Sequence, residues 1–596
     1  MQKTPLLFIA VVMALVAPLS VPGAQQTLDT VRVSSRVTSR SGFTLEVLDS
    51  AMLRQLPAGT LPQLLARALG VDVQTRSAAS ADVAIRGGSY QQALVLVDGV
   101  RMTDAQTAHF TLDLPVPIDE IERIEILRGG ASALYGPDAA GGVINIVRRG
   151  GTSGSVAVEA GSFDTQRMSA SAGVGSRQRG TARLSGEYAK SDGSRQGTDY
   201  DTRMIQLGLE RRDAATSYGM DAAWARRAFG ANTFYGPYDS FETTNTGTLS
   251  ARVEHRMPHS RLVRAAASWR RHDDDFVLDR SAPEAYRNLH TNTMVMGELS
   301  LRQLLGESRA ITLGAEASRL GLASLRLGDR TEERIAGFTE AAQHLGSATL
   351  TAAARVDHSS VTGSAFSPSL TAQIPLGDAY SLRLAGARGI RAPSWTERYY
   401  SDPANSGTPN LGLETFWTGD AALRRDYARG GAEVTFFARR SHDLIDWIRP
   451  ANGSGAGNIW VAGNVADATL QGVELSADIS DMVGIDWRLR AQGTRFSTSL
   501  PAGMEGKYAL RPLTRTAGLT ASRLLGAGLR ISIDMLHSRR AREEGYTTAD
   551  ARLEWSAGRW RVVLDGSNLA NARWLDVSGM PVAGRSVMAG ISVALK

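Results

Sequence analysis

The segment FGANTFYGPYDSFE, Phe229 to Glu242, sets aromatic rings among glycine, proline and asparagine, the residue types that build turns. Rings on an exposed loop, with Phe234, Tyr235 and Tyr238 at its centre, are suited to stacking on a planar or apolar ligand. The same rings would equally serve an aromatic belt at a membrane interface. A second loop, SDGSRQGTDYDT, gathers Asp192, Asp199 and Asp201, hard oxygen donors of the kind that hold calcium. Their spacing fits no EF-hand, so solvated loop charge explains them as well. A third segment, LDTVRVSSR from Leu28 to Arg36, is extended and β-branched and has no partner strand nearby in sequence. Such a strand is free to add to the sheet edge of another protein through backbone hydrogen bonds, the plain alternative being a disordered leader. There is no GxSxG elbow, no HExxH and no cysteine nucleophile, so the expectation is a binding protein and not an enzyme.

The elements that must hold these segments are strands. The 596 residues are 43% apolar and 21% charged, and no run of about 18 apolar residues follows position 25, which excludes helical membrane spans. Lys3, then LLFIAVVMALVA, then small residues up to Ala24 predict a cleaved secretory signal over residues 1–24. Acidic and basic residues are mixed and leave a formal charge of +6, so nucleic acid is not an indicated partner.

Residues 40–150 read as a compact α/β unit. DVAIR, ALVLVDGVRM, RIEILRGG and GGVINIVRR are short strands, Asp98-Gly99 is a hairpin turn, and LPQLLARAL from Leu61 to Leu69 is a helix ended by Gly70. Beyond residue 151 the period is two. Leu529, Ile531, Ile533 and Met535 alternate with Arg530, Ser532 and Asp534; Ala549, Ala551, Leu553 and Trp555 alternate with Asp550, Arg552 and Glu554. A secreted chain with this many two-faced strands, and no disulfides or covering helices, hides its edges most simply by closing in a membrane. At roughly 20 residues per strand and connection, residues 151–596 accommodate about 22 antiparallel strands, a lumen wide enough to need the first unit as a plug.

DTVRVSSR resembles the TonB box of TonB-dependent outer-membrane transporters, which assigns Asp29, Thr30, Val31, Arg32, Val33 and Ser34 to a box within the periplasmic segment 25–39. LPQLLARALGVDVQ, VAIRGGSYQQALVLVDGVRM and IERIEILRGGASALYGPDAAGGVINIV are similar to that family's plug signature, with Gly130 where proline is common. RAPSWTERYY, PNLGLE, DLIDWI, LQGVELSADI and SNLANARW extend the resemblance into the barrel, most closely to its cobalamin-receptor branch. The ending Leu595-Lys596 departs from the usual terminal aromatic, which bears on assembly efficiency. The resemblance implies a monomer in outer-membrane lipid that imports cobalamin or a similar metal chelate, a ferric siderophore being the alternative and a passive channel a remoter one. TonB and its inner-membrane motor would supply the energy, and no covalent cofactor is implied. It also places the plug apices at QTRSAASA and TDAQTAHF, making Arg76, Ser77, Asp104, Gln106, His109 and Phe110 candidate ligand contacts alongside Phe234, Tyr235 and Tyr238, with calcium in the extracellular loops as a further expectation.

Overall fold

A computed structural model describes residues 42–595 apart from 177, 452, 454–457, 501, 510, 577 and 578. Twenty-two long antiparallel strands, from Gly154–Gly161 to Ser586–Leu595, close into a barrel, and the last strand pairs with the first from Met588↔Gly161 to Leu595↔Gly154. Alternation decides the two faces: Ser532 and Asp534 are fully buried towards the lumen, whereas Ile533 and Met535 are 45% and 47% exposed on the outer wall. No described helix is long and apolar enough to cross a membrane; the strands do so.

The two ends of the barrel differ. At one end every connection is two or three residues, as at Val483-Gly484 and Ala527-Gly528. There φ is positive at both turn residues, which matches strand twist in a two-residue hairpin. The other end carries long loops, the longest spanning residues 392–413 and holding the helix Trp395–Tyr399. Short periplasmic turns and long extracellular loops are the usual arrangement, which orients the barrel.

The lumen is filled by the α/β unit. Its five-stranded sheet runs Thr44–Leu48, Ile121–Arg128, Gly142–Arg148, Ala93–Val97, Val100–Arg101 in spatial order, with only the Ala93–Val97 and Gly142–Arg148 pair parallel. Asp98 and Gly99 both have positive φ in the expected tight turn, and the Asp98 carboxylate accepts from the Arg148 backbone N–H at 2.9 Å. The helix expected over Leu61–Leu69 stops at Leu65. Arg67 and Ala68 donate instead to Leu64 and Leu65, three residues back, and the tightened turn delivers the Arg67 guanidinium to Asp534 and Asp550 on the wall.

The plug has its own apolar core, built on Leu48, Val83, Ile85, Ile124, Ile126, Ile144 and Ile146. Its contact with the barrel is apolar on one side, where Phe43, Leu94, Leu127, Ala131 and Tyr135 cluster with Ala385 and Ala387, and ionic over much of the rest. Arg86 grips Glu474 with two 2.8 Å bonds and also reaches Asp420; Arg540 holds Asp72 at 2.6 Å, Arg183 holds Glu120, and Arg148 meets Asp221 at 2.6 Å. An apolar plug face would lose its burial when exposed to water, whereas these groups can exchange one another for solvent. Along these ionic contacts the plug can shift without stranding apolar surface.

Candidate functional site

Above the plug, at the long-loop end, lies a cavity of about 1410 Å³. Its floor is the two plug apices. The turn Ala108–Phe110 is set by Thr107, whose side chain accepts from the His109 N–H, and by Asp104, whose carboxylate accepts from the Gln106 N–H at 3.0 Å. His109 is thereby laid flat on Tyr90, with ring centroids 4.3 Å apart and planes 18° off parallel. Its Nδ1 lies 2.7 Å from Asp82 Oδ2 and its Nε2 3.1 Å from the Tyr90 hydroxyl. Tyr508, from the loop over residues 499–512, stands edge-on to both rings. Burial pushes the hydroxyls of Tyr90 and Tyr508 well above the usual tyrosine range, so both stay protonated and can serve as donors.

One side wall is built on Arg76, which is buried beneath the rings of Phe110, Phe234 and Tyr235 at 5.3, 5.0 and 5.7 Å and faces Glu242 at 3.3 Å. The opposite wall is also aromatic. Arg449 lies over Trp460 at 4.1 Å and pairs with Glu505, and Lys507 Nζ stands 5.8 Å from Trp447 and from Trp460, 5.4 Å from Tyr508 and 3.0 Å from Asn405 Oδ1. Burial pulls the Lys507 ammonium down to about 8.

The structure brings Arg76, Gln106, His109, Phe110, Phe234, Tyr235 and Tyr238 together on the cavity lining. Ser77 and Asp104 are not among them. Ser77 is buried and its hydroxyl accepts from the Ala79 N–H, while Asp104 is turned into the wall, 3.1 Å from Arg270 and 3.1 Å from His272. Both positions serve the apices' own geometry. Neighbouring Asp113, opposed by burial, is held down to about 2 by Arg227 and His272, which keeps the plug side of this wall contact anionic. Asp199 pairs with Arg280 at 2.9 Å and Asp201 with Arg203 at 3.0 Å. Among the described residues no group of three or more histidine or acidic side chains is placed to hold a metal ion, so Asp192, Asp199 and Asp201 are not assembled into one. Residues Asp29 to Ser34 lie outside the described residues.

Sequence reasoning missed Tyr90, Trp447, Trp460, Lys507 and Tyr508. Trp447 sits in DLIDWI and Tyr90 in VAIRGGSYQQALVLVDGVRM, phrases that carried resemblance but no chemistry, and the others are single residues in unremarkable contexts. The helix Trp395–Tyr399 was also missed as a clamp. Its first N–H groups, from Trp395 and Thr396, donate to Ala105 and Gln106 on the plug apex at 3.0 and 2.9 Å, and Arg391 anchors it through Glu397 and Glu414. The capping box of Ser394 and Glu397 was a local signal that could have located it.

Comparison with known proteins agrees with this architecture. Residues 149–569 match the family model "TonB dependent receptor-like, beta-barrel" and residues 38–143 match "TonB-dependent Receptor Plug Domain". The chain is 25% identical to the vitamin B12 transporter BtuB of Vibrio vulnificus strain YJ016 over 82% of each chain, and 34% identical to a Vibrio cholerae BtuB over about 30% of each. The siderophore receptor PirA from Pseudomonas aeruginosa superposes with a TM-score of 0.76 at 20% identity, covering 93% of this chain and 99% of that one. The ferric enterobactin receptor PfeA of the same organism, in a mutant complex with enterobactin, gives 0.77 at 17%, covering 94% and 100%.

Proposed function

The chain belongs to the TonB-dependent receptor family of the outer membrane, and from that premise we propose that it imports a large, near-neutral metal chelate of the corrinoid class. The observation that carries the reading is the lining of the vestibule. Arg76, Arg449, Lys507, Arg511 and Arg542 are matched there by Glu242, Asp274, Glu397, Asp402, Glu505 and Glu543, and three of the cations are already spoken for, Arg76 by Glu242, Arg449 by Glu505 and Arg511 by Glu543. A polyanionic catecholate chelate needs surplus cation. A large neutral ligand with amide edges needs ring faces and hydroxyl donors, and Tyr90, Tyr508, Trp447 and Trp460 offer these. The kinship to vitamin B12 transporters over most of both chains supports the same choice, while the structural likeness to siderophore receptors is one of fold.

In this reading the ligand settles on the His109 and Tyr90 floor, and the long loops close over it. Residues Asp29 to Ser34 are the strand that TonB takes in the periplasm by backbone pairing. Force on that strand is spent on ionic plug contacts that water can replace, which opens a hydrated path along the wall. Calorimetry of the purified protein with cyanocobalamin and, separately, with ferric enterobactin tests the ligand class. Saturable binding of cyanocobalamin with none of the ferric chelate is expected, and the reverse preference overturns it.

A further inference from the structure

The outer wall carries a second charge pattern that the import mechanism does not use. Arg388, Arg440, Arg495, Arg515 and Arg539 all point away from the lumen, on strands that lie in one sector of the barrel. Their heights agree. Counted from the periplasmic end of its strand, each stands eight to eleven residues up: Tyr380 to Arg388, Gly430 to Arg440, Ile485 to Arg495, Gly526 to Arg515 and Leu529 to Arg539. About ten residues of a strand tilted near 45° rise roughly 24 Å, one apolar band. Below the arginines the outward positions are mostly apolar, as with Val434, Phe436 and Ala438 beneath Arg440; the exceptions are His537 beneath Arg539 and Arg523 near the periplasmic end of the Arg515 strand. The five guanidinium groups therefore mark the level where the hydrocarbon ends and the outer-leaflet headgroups begin.

Their pairing sets them apart from the rest of the ring. At the same height on other strands, Arg203 faces Asp201 at 3.0 Å, Arg271 faces Asp273 at 2.9 Å and Arg319 faces Glu333 at 3.8 Å. Among the described residues none of the five has a carboxylate partner. Arg388 donates to the Phe366 carbonyl and Arg539 to that of Glu543 at 3.2 Å, and the nearby Asp467 is taken by His442 at 3.2 Å. Arg388 and Arg440 also flank Trp417 in the strand register, and its indole is 55% exposed. Unpaired, level, outward-facing arginines beside an interfacial tryptophan are complementary to a phosphorylated headgroup whose acyl chains lie along the apolar wall below.

We propose that this sector is a binding site for a phosphate-bearing lipid of the outer leaflet. It rests on the orientation of the barrel and is independent of which ligand is imported. The test is native mass spectrometry of the purified full-length protein in detergent, with bis-phosphorylated lipid A as the probe. The wild-type protein should retain the lipid. R440Q/R495Q/R515Q should retain it roughly 100-fold less tightly, at about fivefold per arginine, while R203Q/R271Q/R319Q should bind as wild type does. The single variant R495Q, expected to lose about fivefold, makes the same test if the triple variant does not assemble. Equal retention by both triple variants, equal binding of dephosphorylated lipid A, or full competition by inorganic phosphate at equal concentration would each overturn the proposal.

Discussion

Replacing Arg86 with methionine removes the cation that ties the plug to two wall carboxylates and keeps a stem long enough to lie on Phe437, whose ring centre is 4.5 Å from the guanidinium carbon. Arg86, Asp420 and Glu474 are 5%, 6% and 1% exposed at their side chains, so the loss is that of a buried pair and not of a surface one. Glu474 keeps Arg128 at 3.6 Å, which concentrates the damage on Asp420. Leaving a buried charge unpaired costs about 3–5 kcal/mol, equivalent to roughly a 10²- to 10⁴-fold rise in the open population of the plug. Arg86 has positive φ, and methionine is strained there to a similar degree, so backbone strain does not enter the comparison. The assay is hydrogen exchange of the amides of Val83 to Ile85, which lie in the fully buried plug core. Arg86→Met combined with Asp420→Asn and Glu474→Gln should recover at least about 2 kcal/mol of the loss, because it removes the orphaned charges. A single-variant effect below about 1 kcal/mol, or a triple variant worse than the single one, would refute the view of the plug seal as a network of buried ion pairs.

Three further outcomes are expected. Trp460→Ala should weaken ligand binding by about 1–3 kcal/mol without altering barrel assembly, read by calorimetry and by heat-resistant electrophoretic migration. Lys507 has its folded value lowered to about 8 from the ordinary 10.5, so its charged form costs stability below pH 8 and that cost fades as pH rises from 8 to 10.5; exchange protection of residues 504–508, corrected for the intrinsic rate, should rise across that window in the wild type but not in Lys507→Gln. Val31→Pro should abolish ligand accumulation in cells while surface binding persists, because it removes an N–H from the segment proposed above to pair with TonB; Val31→Ala should be much milder, and normal accumulation by the proline variant would reduce this segment to a leader.

The barrel was legible because its signal is repetitive: the alternation around Ile533 and Asp534 needs only a period of two, and closure follows from the absence of anything else to cover the apolar face. Asp98-Gly99 was legible because a tight turn demands positive φ locally. Leu61 to Leu69 was misjudged at its end, since the pull of Asp534 and Asp550 on Arg67 comes from residues far away in sequence. The cavity floor was half legible. His109 and Phe110 stood out as a ring pair in a loop, but Tyr90 and Tyr508 join them only through tertiary folding, and no local pattern distinguishes Asp104, turned into the wall, from Gln106, which lines the cavity while its Oε1 accepts from Asn292 of the wall at 2.6 Å. The lipid-facing arginines were visible as letters, yet their common height emerges only when each strand is counted from its turn.

The central claim is that import requires the plug to be pulled from its N-terminal end. The chain has no cysteine, so Gly42→Cys with Thr371→Cys introduces the only thiols. A Cβ on Gly42 would lie 2.6 Å from the Thr371 Cβ, and a shift of about 1 Å at this first described residue of the plug reaches disulfide geometry. The measurement is accumulation of labelled cyanocobalamin in cells carrying this pair as their sole receptor, oxidised and then reduced, with surface binding recorded alongside. The account predicts full surface binding in both states, no accumulation while the crosslink holds, and recovery on reduction; accumulation through the oxidised receptor at the reduced rate would contradict it.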